Sequence, residues 1–532
     1  MPIYIGTGST GDDSCREAGT KFLRIFSLEF LMSNIKHIVL FGAGKSATVL
    51  IDYLKEIATE NVWKVTVADS NLETAKSKVG MHALAKAVSV NIKNANERRD
   101  LIEQADIVVS LMPPNLHYLI AIDCVDLKKN LLTASYVDEQ IKILEPEIKK
   151  RNLFFLCEMG LDPGIDHMSA MQLFHRIKDQ GGEVISFKSH CGGLVAPESD
   201  DNPWHYKISW NPRNIVLAGK SGAVYKENGE EVYVPYEELF DAGRAITIPG
   251  ADTYAYYPNR DSLHYISLYD LHHVETFLRT TLRHPEFCFG WKNIIDLKLT
   301  DEEKVYRTDG MSYAQFFREH FEKHGFGEWL SNMLTTRLNY ATEMMQKLMQ
   351  LIEAEQEAAQ EGVETDEEIM MIDEKGDLTT LDVDDVKDKA AESVAYKMHE
   401  ANLSMKQLFY LGLDDRTLIN KGLCSAADVL QIILEKKLSL QSRDKDMIVM
   451  MHDIDYRINN IQSNIKSTLA VKGTDNVHTA MATTVGLPLG IAAKLILEGQ
   501  IKETGLHIPV KPGIYEPVLK ELRKHGIIFH EE

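Results

Sequence analysis

The stretch HIVLFGAGKSA, His37–Ala47, decides the fold. Ile38, Val39, Leu40 and Phe41 form a short apolar run, the pattern of a parallel strand buried on both faces. Gly42, Gly44 and Ala47 follow at G-x-G-x-x-A spacing. Gly42 permits a tight turn, Gly44 lets a pyrophosphate approach the backbone, and Ala47 lets the next helix pack close to the strand. Val49, Leu50, Tyr53, Leu54 and Ile57 then recur at helical spacing. The start of that helix offers free N–H groups and the positive end of the helix dipole. A second run, WKVTVA at Trp63–Ala68, ends at Asp69, about 20 residues beyond Ala47, where a carboxylate can accept from ribose hydroxyls. The strand–loop–helix context makes a dinucleotide site the expectation. The competing reading is an ordinary glycine turn in an α/β protein that binds no nucleotide.

Outward from this unit, strand and helix alternate from Met32 to about Gly160. A helix is expected at Leu72–Val79, a strand at Ala87–Ile92, a helix around Asn96–Glu103 and a strand at Asp106–Met112. Strands at Asn130–Thr133 and Leu153–Cys157 flank a helix at Asp138–Lys150. This predicts a doubly wound sheet with its ligand at the carboxyl ends of the strands. The loops there are Met112-Pro113-Pro114, Ser135-Tyr136-Val137 and Glu158–His167. The last joins a Gly/Pro turn to Asp162, Asp166 and His167 ahead of an apolar helix. Asp162 reads as a polar site group, and Asp166 equally as a helix N-terminal residue with a structural role.

From Gly182 to about Gly290 the runs VISFKSH, NIVLAG and EEVYVP alternate with Gly/Pro/Asn loops, predicting a mixed, largely antiparallel sheet. His190-Cys191-Gly192-Gly193 is expected to follow a strand. Arg213, Arg260 and Arg283 stand in polar contexts. Singly, each could be a surface ion pair; together they suit a substrate with several carboxylates. Helices are expected within Met311–Leu351, at Val394–Leu411, Ala426–Lys436 and Thr479–Glu498, and a short one within Lys511–Phe529. Asp446–Ile465 reads as one strand.

The chain of 532 residues carries a formal charge of −21. Nucleic acid is disfavoured, because phosphate backbones call for basic patches. The charge is uneven: residues 353–392 hold sixteen acids against three lysines. That stretch reads as a solvated or partly disordered insertion, alternatively as a charged partner-binding tail. It says little about substrate. Residues 1–31 read as a disordered leader or over-extended start. No apolar run long enough to cross a membrane is expected. The six cysteines are scattered without C-x-x-C, so neither zinc nor a disulfide framework is indicated, and a reducing compartment fits.

With these segments in place the chain resembles the glutamate-forming saccharopine dehydrogenase (saccharopine reductase) family. The matching stretches are GAGKSA at Gly42, TASYV at Thr133, EMGLDPGIDH at Glu158, HCGGLVAPESDDNPWHYKISWNPR at His190, YPNRDS at Tyr257, TLR at Thr281 and HTAMATTVGLPLGIAAKLILEG at His478. The resemblance runs from about Met32 to the C-terminus, with gaps near 300–395.

It implies an α/β fold. A Rossmann doubly wound parallel sheet spans 32–163 and is completed by about 478–505. An α+β substrate and dimerisation domain with a mixed sheet and a helical insertion spans 164–477, with the acidic insertion at about 350–393. A closing segment spans 506–532. It also implies a cytoplasmic homodimer in lysine metabolism, using NAD or NADP without metal. The substrate is saccharopine, or glutamate plus 2-aminoadipate 6-semialdehyde, with no nucleic acid or membrane partner.

Substrate contacts are implied at Ser135, Tyr136, Asp162, Arg213, Arg260 and Thr281. Tyr136, Asp162 and Cys191 are the acid/base candidates, with bound water as a fourth. Cofactor contacts are implied at Gly42, Gly44, Lys45, Ser46, Ala47, Asp69, Ser70, Asn91, Ile92, Met112, Ala134, Ser135, Leu161, Asp162 and Trp210.

One departure bears on the cofactor. Fungal members of that family that use NADPH resemble one another in carrying Cys-Arg-Thr after the second strand, where this chain has Asp69-Ser70-Asn71. A carboxylate there repels a 2′-phosphate, so NAD(H) is the expected preference. Two other functions compete. Carboxynorspermidine or carboxyspermidine synthase would need acidic residues for a cationic amine. A nucleotide-sensing Rossmann protein would bind cofactor without turnover.

Overall fold

The computed structural model describes residues 35–241, 243–328 and 402–532, with short pieces between 339 and 400. The expected leader lies outside these residues, as does most of the acidic stretch. Within that stretch, Ile369–Ile372 pairs antiparallel with Leu378–Leu381. The chain divides into two compact units. One holds the chain up to Gln180 together with Val477–Phe529; the other holds Gly181–Asn476 and His530–Glu532.

The first unit is built on a seven-stranded, wholly parallel sheet. Its strands are β1 (His37–Phe41), β2 (Lys64–Asp69), β3 (Ala85–Ser89), β4 (Ile107–Ser110), β5 (Asn130–Thr133) and β6 (Phe154–Leu156). The late strand Gly505–His507 adds beside β6. The spatial order is late strand, β6, β5, β4, β1, β2, β3. The chain therefore reverses direction of growth between β1 and β4, which places the ligand crevice at their carboxyl ends.

Helices cover the sheet because their apolar stripes need burial. Helix α1 (Thr48–Asn61) buries Leu50, Ile51, Tyr53, Leu54 and Ile57. Helix α2 (Leu72–Val79) is capped by Asn71, whose side chain accepts from the N–H groups of Glu73 and Thr74. Helices α3 (Ala95–Glu103) and α4 (His117–Asp126) complete the early crossovers. The helix expected across 138–150 is two short ones, Glu139–Ile143 and Glu145–Lys150.

The late helix Ala480–Leu497 packs against α1 through small residues. A Cβ on Gly486 would lie 2.9 Å from the backbone nitrogen of Leu50, and one on Gly490 would lie 2.5 Å from the Tyr53 ring. This helix corrects the expectation about apolar runs. It is 18 residues long with a hydropathy of 1.7, enough by length and composition to cross a membrane, yet mostly buried within its unit.

The domain boundaries also shift. Helix Ile165–Asp179 belongs to the first unit, where His175 bonds Tyr515 of helix Pro512–Lys524 at 2.7 Å. Residues 506–529 are likewise part of that unit and form no separate segment.

The second unit carries a mixed nine-stranded sheet. Its centre is Glu183–Val195, parallel to Thr276–Arg283 on one side and antiparallel to Asp446–Ile458 on the other. The expected single strand at 446–465 is a hairpin of Asp446–Ile458 and Ile461–Lys472. Asn459 and Asn460 both adopt left-handed φ at its turn, the geometry of the tight hairpin turns that asparagine tolerates. NIVLAG is not a strand. Pro212–Val216 is a short helix, with Pro212 at its start and the Asn211 side chain accepting from the Arg213 N–H. His190–Gly193 lies inside the central strand and does not follow it.

Candidate active-site residues

In the first unit the glycine loop sits at the switch point. The Gly42 N–H donates to Ala68 O at 2.8 Å, and the Leu111 N–H to Phe41 O at 2.9 Å. Gly42 has φ +103°, and a Cβ there would meet Leu111 O at 2.8 Å, so a side chain is excluded. Gly44 differs: a Cβ there would meet nothing within 4 Å. Its exposed backbone is an open cradle of the kind a pyrophosphate occupies, so these residues fit a dinucleotide. Ala47 is buried, Lys45 is exposed and Ser46 is half-buried.

Asp69 closes β2. One carboxylate oxygen accepts from the Ala43 N–H at 2.7 Å and the other from the Asn71 N–H at 2.8 Å, with the Ser70 hydroxyl at 3.4 Å. The carboxylate thus fastens the glycine loop to the turn after β2. Asn91 and Ile92 lie beyond the end of β3, with Asn91 exposed and Ile92 buried.

Three loops converge at the carboxyl ends of β4, β5 and β6. They carry Met112, then Ala134, Ser135 and Tyr136, then Leu161 and Asp162. Backbone bonds lock the last two together: Glu158 N–H to Ser135 O and Met159 N–H to Thr133 O, both 3.0 Å. Gly160 is packed against Ala134, and a Cβ there would lie 3.1 Å from the Ala134 Cβ. Ser135, Tyr136 and Asp162 are half-buried at this edge. Asp166 is buried, and its side chain accepts from the Gly164 N–H at 2.6 Å, the structural role foreseen as its alternative.

Two further groups at this edge escaped the sequence reading. The His117 ring bridges the Ser110 hydroxyl at 2.8 Å and the Ser135 hydroxyl at 2.7 Å. Burial pushes its pKa down to about 4, which keeps the ring neutral. Glu158 bonds His167 at 2.9 Å and accepts from the Val137 N–H at 3.2 Å, tying the Tyr136 loop to the Asp162 loop. The EMGLDPGIDH motif contained this pair, but its nine-residue spacing spans a turn and fits no helix-face or strand-face rule.

In the second unit Cys191 and Thr281 are direct partners across parallel strands. Tyr257 pairs with Thr281 from the other side. Arg283 lies one strand repeat beyond Thr281 and is 5% exposed. Its guanidinium donates to Leu282 O at 2.9 Å and Gly193 O at 3.3 Å, and lies 5.2 Å from the Tyr206 ring centre. Its Nε has no partner, and no carboxylate pairs with it among the described residues.

Arg260 is exposed, in a left-handed backbone conformation just past the strand bearing Tyr257. Trp210 packs on the apolar core of this unit. Arg213 departs from expectation. Its guanidinium already bonds Glu302 at 2.8 Å and Asp428 at 3.0 Å, so its charge is matched within the fold.

Comparison with known proteins agrees with this architecture. The saccharopine dehydrogenase NADP binding domain matches residues 38–155, and the saccharopine dehydrogenase C-terminal domain matches residues 160–527. The chain is 30% identical over 502 residues to the Saccharomyces cerevisiae saccharopine dehydrogenase [NADP(+), L-glutamate-forming], covering 93% of this chain and 99% of that one. It is 29% identical to the Arabidopsis thaliana alpha-aminoadipic semialdehyde synthase, over 94% of this chain and 45% of that protein. The chain thus spans about half the length of the synthases it matches. The solved apo saccharopine dehydrogenase (L-Glu forming) from Saccharomyces cerevisiae superposes with a TM-score of 0.70 at 27% identity, over 93% of this chain and 99% of that one. The expected NAD(H) preference draws no support from a domain described as NADP binding. With both domain models matched over nearly the whole described chain, this protein belongs to the saccharopine dehydrogenase family.

Proposed function

We propose that the chain interconverts saccharopine and water with glutamate and 2-aminoadipate 6-semialdehyde, coupled to reduction or oxidation of a nicotinamide dinucleotide. The observation that carries this reading is Arg283. A guanidinium stays charged at any ordinary pH, and a buried charge without a counter-charge is costly. An anionic amino-acid substrate supplies that counter-charge, whereas a polyamine does not. Arg260 and Thr281 serve as further contacts to carboxylate or polar atoms. Arg213 has no part in substrate binding, because Asp428 and Glu302 hold its guanidinium.

The nicotinamide, when bound, gives or takes the hydride. Gly44 leaves room for the pyrophosphate, and Asp69 and Ser70 meet the adenosine ribose. Ser135, Tyr136 and Asp162 contact the substrate, with His117 fixing the Ser135 hydroxyl. Reduction of the imine needs one proton on the nitrogen. Tyr136, Asp162 and Cys191 are the candidates to supply it, and loss of one lowers turnover without abolishing it. A cytoplasmic homodimer belongs to the same proposal; the rat relative is named as mitochondrial.

The test is an assay of the purified chain with saccharopine and NADP⁺ or NAD⁺, following the absorbance of the reduced nicotinamide. Carboxynorspermidine is run in parallel. Turnover of saccharopine supports the proposal. Turnover of carboxynorspermidine alone, or cofactor binding with no turnover of either, defeats it.

A further inference from the structure

A lysine from the helix after β2 bonds the glycine loop. Lys78 stands in the last turn of α2 and is half-buried. Its ammonium donates to the carbonyl oxygen of Gly44, the middle residue of the glycine motif. Among the described residues no carboxylate forms an ion pair with it. Asp69 acts on it through its field at longer range, and partial burial pushes the amine down to about 8. An incompletely solvated ammonium of this kind gains from a nearby anion.

The two charges both bond one backbone segment. Asp69 holds the Ala43 N–H and Lys78 holds the Gly44 carbonyl, while the Cα face of Gly44 is open. A carboxylate at the end of β2, taken alone, repels a ribose 2′-phosphate. A lysine within its field offsets that repulsion. Both carboxylate oxygens are also already bonded to backbone N–H groups, which spreads the negative charge.

We propose that Lys78 admits a 2′-phosphate beside Asp69 and so sets the choice of NADP(H) over NAD(H). The assignment rests on the dinucleotide reading of the first unit.

The test is binding without amino-acid substrate. Wild type, Lys78→Met and Lys78→Arg are titrated calorimetrically with NADPH, NADH, 2′,5′-ADP and 5′-AMP. Lys78→Met is expected to weaken NADPH and 2′,5′-ADP roughly ten- to hundredfold, the effect of losing a charged hydrogen bond, while NADH and 5′-AMP stay within about threefold. Lys78→Arg restores most of the loss. An equal loss for both pairs means that Lys78 only shapes the glycine loop, and overturns the proposal. So does no loss in either. Wild type that binds neither dinucleotide sinks the underlying site reading and this assignment with it, and is distinguishable from both earlier failures.

Discussion

Arg283 is a charged residue buried without an acidic partner among the described residues. It contacts carbonyl oxygens and aromatic faces, which solvate a guanidinium only in part. Arg283→Met keeps the apolar stem and removes the charge. Saccharopine kcat/KM is expected to fall roughly 10- to 100-fold, from loss of a charged hydrogen bond to substrate. The melting temperature is expected to hold or rise, because a buried unmatched charge has been removed. Steady-state kinetics with a thermal melt checks both, and an unchanged kcat/KM would remove Arg283 from the substrate site. Arg213 shows why residue type alone is not enough. Both arginines looked alike in sequence, yet one has two acidic partners brought from 89 and 215 residues away. Only the folded chain could show which guanidinium was already matched.

At the scale of elements, the pair formed by α1 and the late helix Ala480–Leu497 is set by glycine. Gly→Ala inside a helix ordinarily stabilises by about 1 kcal/mol. At Gly486 the new Cβ would stand 2.9 Å from a backbone nitrogen of α1, which cannot swing away as a side chain does. Gly486→Ala is therefore expected to destabilise by about 1–3 kcal/mol, the usual cost of overpacking. Denaturant unfolding of the two proteins measures it, and a more stable variant would contradict the close packing.

The elements were also where reading from sequence succeeded best. Leu72–Val79 and Asn130–Thr133 fall where expected, because caps and apolar periods are local signals. NIVLAG failed because a Pro-initiated helix overrode a β-rich composition. The hairpin at Asn459-Asn460 was missed although its two asparagines are a turn signal. In the site, the loops at the strand ends were legible from Gly and Pro. The His117 bridge was not, since seven and eighteen residues separate its partners.

Across the whole molecule, both units bury neutral histidines. Burial pushes His117 in the first unit to about 4 and His190 in the second to about 3, from an ordinary 6.5. In each case the folded pKa lies below the unfolded one. The unfolded chain therefore takes up protons first as pH falls. The stabilisation is complete above about pH 6.5 and is lost as pH drops towards the folded values, by roughly 3 kcal/mol for each histidine at pH 4. Thermal melts between pH 7 and 4 are expected to shift steeply downward, and His117→Gln or His190→Gln to flatten that slope. A melting temperature constant over this range would show that neither ring resists protonation.

Most of the nucleotide unit was legible from local patterns in the chain. Strands β1 to β6, the glycine loop and Asp69 are encoded in residues close together along the chain, where steric and capping rules act; the late strand Gly505–His507 comes from far along it. Folding settled which charges are matched by an acidic partner and which are not. Burial and pairing join residues tens to hundreds of positions apart, as with Lys78 against Gly44, Arg213 between Glu302 and Asp428, and Arg283 among aromatic rings. The energy of a charge depends on those neighbours, and no local pattern records them.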